Sequence, residues 1–290
     1  MIELRYHGAS MTIDEKGAEL RAWHNGRERL WSGDPAVWKG VSPVLFPAIG
    51  VMKNGGATIG GAFYAVPRHG FVRDLPFEVT ERGEDFVTLT LEENADTLKV
   101  YPFRFALSVT HRFLPNGFET RFTVENHSDR PMPFMLGGHP GFACPTASDE
   151  AFEDYVLRFE KPENGDTLLC TREHTLSGAE KAPFEADGRT LPLRYADFDR
   201  LDTFIFAGLE SRSVELVNPA TGHGLRFSFP ELPVLAVWTA PGAHAPYVCL
   251  EPWQGLPAMD DETGRYEDKP YVLTLPVGRA HTCGYRAELL

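Results

Sequence analysis

The chain has 290 residues, with 28 Lys plus Arg against 41 Asp plus Glu, a formal net charge of −13. That balance argues against nucleic acid or an anionic membrane surface as a partner, because phosphates demand a basic face. Hydrophobic residues at 42% and charged residues at 24% suit a soluble globular protein, and charge or proline breaks every apolar run well short of the ~20 residues of a membrane span.

At the N-terminus, Glu3 and Arg5 stand where a signal peptide would need its apolar stretch, so the expected location is cytoplasmic. The stretch Asn54-Gly55-Gly56-Ala57 leads into a strand-like segment and reads as a hairpin turn rather than a phosphate loop. From there a period of two dominates. Val87, Leu89 and Leu91 alternate with Thr88 and Thr90; Leu107, Val109, His111 and Phe113 alternate with Ser108, Thr110 and Arg112. Phe122 and Val124 follow the same rule, and so do Leu225, Phe227 and Phe229. Such alternation predicts strands with one buried face and one wet face. Further β-rich runs lie at 155–159, 203–206, 214–217, 234–238, 247–250 and 271–275, with turn signals such as Asn116-Gly117, Asn164-Gly165 and Asn218-Pro219 between runs. No window of a dozen residues carries a clean helical period. The expectation is an all-β fold, an antiparallel sandwich, formed as one domain over residues 1–290.

The absent motifs narrow the chemistry. There is no GxGxxG after a strand, no GxxxxGK[ST], no GxSxG and no HExxH. The four cysteines, Cys144, Cys170, Cys249 and Cys283, form no CxxC or close pair and read as buried reduced thiols. No cofactor and no metal is expected.

Three segments stand out against this background. In Arg68-His69-Gly70-Phe71-Val72-Arg73, a histidine sits between two arginines beside a glycine, which suits close approach of backbone to a ligand; a basic surface turn is the alternative. In Gly137-Gly138-His139-Pro140-Gly141, the glycines and proline present an imidazole at a bend, where it can give and take protons near neutral pH. The alternative is a tight turn with a solvated histidine. In Tyr247–Trp253, Glu251 closes an apolar run with Trp253 two residues on. A carboxylate in apolar company has a raised pKa, as a general base near pH 7 requires, and an indole offers a flat face to a sugar ring. An exposed carboxylate beside a structural tryptophan is the alternative.

Taken together, these segments resemble the aldose 1-epimerase (galactose mutarotase) family, most closely its divergent branch of bacterial mutarotase-like proteins and hexose-6-phosphate epimerases. The resemblance also takes in Leu30-Trp31-Ser32-Gly33, Ser42–Gly50, Asn126-His127-Ser128 and Glu251–Pro257, so it covers nearly the whole chain. It implies the galactose mutarotase-like supersandwich. His139 matches the family histidine that protonates the ring oxygen, and Glu251 the carboxylate that takes the anomeric hydroxyl proton. His69 matches a second, sugar-binding histidine, and Asp202 falls about where the family keeps a hydroxyl-binding aspartate. His139 and Glu251 are expected to face each other with a sugar ring between them, and Trp253 to line the same cleft. Branch members often carry an arginine at the position of Val51, so Arg68, Arg73 or Lys53 must replace that cation if the contact survives.

The implied reaction is interconversion of the α and β anomers of a hexose or hexose phosphate. Two other readings stay open. One is a non-catalytic carbohydrate-binding sandwich. The other is a glycoside hydrolase, which needs a second carboxylate beside Glu251, with Asp202 the candidate. Oligomeric state is not readable from the residues.

Overall fold

The computed structural model describes residues 1–290. Strands hold 47% of the chain, roughly twice the ~20–25% usual for globular proteins. The longest alternating segments become the longest strands. Phe105–Leu114 pairs with Gly117–Asn126 across the turn at Asn116, and Ala280–Leu289 pairs on the other side of Gly117–Asn126. Leu107, Val109, His111 and Phe113 are buried, while Ser108, Thr110 and Arg112 alternate with them as half-buried positions, as period-two burial requires.

These strands form the middle of a nine-stranded antiparallel sheet that runs from Thr190–Pro192 at one edge to Glu78–Arg82 at the other. A six-stranded antiparallel sheet packs on it, with the strands Thr203–Ala207, Val234–Trp238, Tyr247–Gln254, Leu136–Gly138 and Val44–Leu45 in that order, and Gly141–Ala143 paired beside Leu136–Gly138 on Tyr247–Gln254. Aromatic side chains interlock the two layers. Phe142 lies 5.6 Å from Phe227, and Phe159 lies 5.5 Å from Phe206, centroid to centroid. A four-stranded meander from Ile2 to Glu28 completes the N-terminal end. One apolar cluster of 71 buried residues runs from Ile2 to Ala287. The α-helices are single short pieces, Thr97–Val100 and Tyr195–Leu201. No helix is long and apolar enough to cross a membrane.

Two readings from the sequence need adjustment. Asn54-Gly55 is not a hairpin turn: Lys53–Gly55 is one 3₁₀ turn, and the hairpin closes later at Gly60-Gly61 between Gly56–Ile59 and Ala62–Ala65. The run at 247–250 does not stop before Glu251 either; the strand continues to Gln254, and all eight of its residues are buried.

His111 gives the fold a pH dependence. It is 1% exposed. Its Nε2–H donates to the Ala18 carbonyl at 2.9 Å, and Nδ1 accepts from the Thr120 hydroxyl at 3.0 Å. Burial pushes its pKa from 6.5 down to about 4. The folded value lies below the unfolded one, so the neutral ring stabilises the fold above about pH 6.5, and that contribution is lost as pH falls toward 4. Between pH 7 and pH 5 the loss from this one group is about 2 kcal/mol. Urea denaturation at the two pH values should show a flatter pH dependence in His111→Gln than in the wild type; equal slopes would place the titration elsewhere.

Candidate active site

Strand register builds the site. Gly137 pairs with Trp253 and Gly141 with Cys249, which brackets His139 opposite Glu251. On the other side of the same strand, Glu251 pairs with Ala236 and Cys249 with Trp238, and Trp238 pairs in turn with Thr203. Directly paired residues, and those two apart, share a sheet face. His139, Glu251, Trp253, Trp238 and Thr203 therefore project from one face of the six-stranded sheet.

On that face lies a cavity of about 320 Å³, at the small end of the ~300–1,000 Å³ typical of ligand sites. Trp38, Trp238 and Trp253 line it with His69, His139 and Glu251 as polar groups, and Arg68, Arg73, Pro43 and Thr203 complete the lining.

The central contact is His139 Nε2 to Glu251 Oε2 at 3.1 Å. Glu251 is 2% exposed and His139 9%. Burial raises the Glu251 carboxyl well above its usual range, with Arg68 pulling the other way. Burial likewise pushes His139 down to about 3. The dry surroundings disfavour charge on either group, and the 3.1 Å separation puts the two within reach of a proton passed between them. The contact is too short for a sugar ring to lie between the two groups, contrary to the facing arrangement expected from sequence. They stand side by side on one wall. This geometry suits two oxygens carried on one carbon, as the ring oxygen and the anomeric hydroxyl are.

Neighbouring rings orient His139. Trp38 stacks on it at 4.8 Å, Trp238 meets it edge-on at 5.6 Å, and His69 lies 5.8 Å away. Its backbone N–H donates to the Pro43 carbonyl at 3.0 Å. Its Nδ1 is buried with no protein partner, and so is Trp253 Nε1.

His69 is clasped against Gly50. The Gly50 N–H donates to His69 Nδ1 at 3.1 Å, and the His69 N–H donates to the Gly50 carbonyl at 2.8 Å. With Nδ1 accepting, the neutral ring carries its proton on Nε2. Burial first, then His139 and Arg68, holds its pKa well below 6.5. The clasp needs His69 at φ 63° and Gly70 at φ 72°. A Cβ on Gly70 would sit 1.9 Å from the Phe46 carbonyl oxygen, so this position admits only glycine without moving the backbone.

The three cations considered for the place of the missing arginine separate clearly. Lys53 is turned away, its Nζ donating to the carbonyls of Asp260 at 2.8 Å and Glu262 at 2.7 Å. Arg73 lines the cavity but is partly committed, donating to the Arg68 carbonyl at 3.0 Å with its Nε 3.8 Å from Asp74. Arg68 lines the cavity and has no ion-pair partner within 4.0 Å. Asp202 is outside the residues that line the cavity, but it is near enough for its charge to push Glu251 further up. It caps the helix Tyr195–Leu201 at φ 65°, with Oδ2 3.7 Å from His174 Nδ1 and 3.4 Å from the hydroxyl of Thr203, which does line the cavity. Trp38, Trp238, Thr203 and Pro43 were not legible as site residues. Only the pairing register, which fixes the parity of Trp238 and Thr203 relative to Glu251, carries that signal.

Comparison with known proteins identifies the family. The pattern of the aldose 1-epimerase family matches residues 1–274. The chain belongs to the aldose 1-epimerase family. It is 34% identical over 280 residues to the chromosomal protein LacX of Lactococcus lactis subsp. lactis, covering 93% of each chain. Among solved structures, a galactose mutarotase-like protein from Lactobacillus casei is 31% identical with a TM-score of 0.93, covering 100% of both chains. A galactose mutarotase related enzyme from Lactobacillus acidophilus is 29% identical with a TM-score of 0.92, covering 100% of this chain and 97% of that one. The antiparallel architecture is accordingly the galactose mutarotase-like sandwich of the aldose 1-epimerase family.

Proposed function

We propose that the protein interconverts the α and β anomers of a hexose or hexose phosphate by acid–base ring opening and closure. The observation that carries this reading is the His139–Glu251 contact of 3.1 Å in a tryptophan-walled cavity. Anomerisation moves one proton from the anomeric hydroxyl and delivers one to the ring oxygen. A carboxyl and an imidazole that share one proton hold both functions once the sugar draws the pair into its charged form. Glu251 as carboxylate takes the hydroxyl proton. His139 as imidazolium donates to the ring oxygen, the C1–O5 bond breaks, and the aldehyde forms. Rotation about C1–C2 and closure with the roles reversed gives the other anomer. Arg68, which favours ionised Glu251, assists the charged form. Neutral His69 offers its Nε2–H to a hydroxyl. The tryptophans exclude water and offer flat faces to the ring. The reaction transfers no hydride and builds no stabilised carbanion, so its chemistry calls on no organic cofactor.

A glycosidase of the usual kind needs two carboxylates at the bond it cleaves, and Glu251 is the single carboxylate in the cavity lining. Polarimetry of freshly dissolved α-glucose, α-galactose and glucose 6-phosphate tests the proposal. The expected result is faster decay of rotation for at least one of them. Unchanged spontaneous rates for every aldose and aldose phosphate, with tight binding of one, would instead mark a carbohydrate-binding protein.

The pH profile follows from burial. The singly protonated pair is lost on the acid side only when a second proton adds, which burial of His139 holds far below the 6.5 of a solvated histidine. It is lost on the alkaline side when the last proton leaves, above the ordinary carboxylate range. Therefore kcat/KM should stay level as pH falls through 6.5. A limb with an apparent pKa near 6.5 would mean that a solvated histidine does the work.

A further inference from the structure

Behind the proton-sharing pair lies a third donor atom with no assigned role. Cys249 is two residues before Glu251 on the same buried strand, so its Sγ points to the same side of the sheet. It is fully buried and unpaired as a disulfide. One ligand atom each from His139, Cys249 and Glu251 lie within 4.8 Å of one another. We propose that these three side chains form an inhibitory site for a zinc-like divalent cation, which enters from the sugar cavity and takes the place of the shared proton.

The donor chemistry selects the ion. A thiolate with an imidazole and a carboxylate suits zinc and disfavours magnesium or calcium, which take oxygen ligands. The geometry is close to that required. Zinc bonds of about 2.3 Å to sulfur and about 2.0–2.1 Å to nitrogen and oxygen put tetrahedral ligand atoms roughly 3.3–3.6 Å apart. His139 Nε2 and Glu251 Oε2 are at 3.1 Å already, and the separations to Cys249 Sγ, within 4.8 Å, need to close by up to about 1.2–1.5 Å. The fourth position would open onto the cavity, through which His139 and Glu251 are reached. His139 Nδ1 bears on affinity. Histidines in resident metal sites donate their other ring N–H to an oriented acceptor. Here that nitrogen is buried without a partner, so His139 lacks the acceptor that supports a histidine in a permanently held metal site. The site is therefore one that binds an ion reversibly and stops turnover by occupying both the acid and the base. Binding displaces the thiol proton and the proton of the His139–Glu251 pair to solvent, and no oxidation or reduction occurs.

The test titrates the purified chain with Co²⁺ and Zn²⁺ and compares the wild type with Cys249→Ala. Co²⁺ bound through a thiolate gives a near-ultraviolet charge-transfer band, a readout that does not depend on any activity. The wild type should show this band at one ion per chain, lose it to competing Zn²⁺, and regain its original spectrum with a chelator. Cys249→Ala should lack the band. With a sugar that the wild type turns over, Zn²⁺ should inhibit reversibly, and Cys249→Ala should keep the basal rate while needing at least about tenfold more Zn²⁺ for inhibition. No band in the wild type, or equal inhibition of both proteins, overturns the metal site. If the band appears but no sugar is turned over, the site stands and the proposed epimerase reading fails. The inference rests on that reading only for its inhibitory role.

Discussion

Glu251→Gln should lower the rate of anomerisation by roughly 10²-fold or more, while sugar affinity changes by less than about tenfold. The amide keeps the size of the carboxyl and can donate a hydrogen bond to His139 Nε2 across the existing 3.1 Å contact. It cannot accept a proton from the anomeric hydroxyl. Because burial keeps Glu251 well above the ordinary carboxylate range, the substitution exchanges one neutral group for another. The stability change should then stay within about 1 kcal/mol, so a loss of rate cannot be charged to unfolding. Polarimetry gives the rate, quenching of tryptophan fluorescence by sugar gives the affinity, and urea denaturation gives the stability. A variant that keeps the wild-type rate within about threefold would remove Glu251 from the role of base. His69→Asn is the contrasting change. It removes a group clasped to Gly50 and assigned to holding the sugar, and it should raise KM more than it lowers kcat.

The course of the strands was legible because period-two burial is a local property. Leu107 to Phe113 announce a half-buried strand without reference to any neighbour, and the structure buries those positions in turn. Local reading failed where tertiary cover overrides the pattern. Tyr247–Gln254 is buried on both faces at the centre of its sheet, so no alternation marks where it ends, and Glu251 reads as its terminus rather than a position inside it. The site divides in the same way. His69, His139, Glu251, Arg68, Arg73 and Trp253 lie in segments of unusual backbone composition, and the cavity brings all six together. Trp38 lies in the loop 34–40 and Trp238 ends an apolar strand, and nothing local marks either as a cavity wall. Asp202 shows the converse. Its motif is short; at this helix end Thr203 reaches the lining, while Asp202 acts on Glu251 by its charge from outside it. The side-by-side placement of His139 and Glu251 depends on the pairings Gly137–Trp253 and Gly141–Cys249, which are non-local and invisible to any window along the chain.

That same placement leads to the second large effect, which separates a shared-proton pair from two independent catalysts. His139→Asn should cost roughly 10²-fold or more on its own, because it removes the donor to the ring oxygen. Independent groups would make the losses multiply, so that His139→Asn with Glu251→Gln would fall by roughly 10⁴-fold. The structure argues against multiplication. At 3.1 Å, with no protein partner on His139 Nδ1, the proposed mechanism has each group obtain its working charge from the other. In the proposed mechanism Glu251 becomes a base by giving its proton to His139, and His139 becomes an acid only by receiving it. Once either is replaced, the survivor is left buried in its neutral, unproductive form. The double variant should then be slower than either single variant by no more than about tenfold. The measurement is kcat/KM for the four proteins with one sugar, taken with the uncatalysed rate subtracted. Losses that multiply in full would show that Glu251 and His139 act on the sugar in separate events, and that their contact in the free protein is incidental to the chemistry.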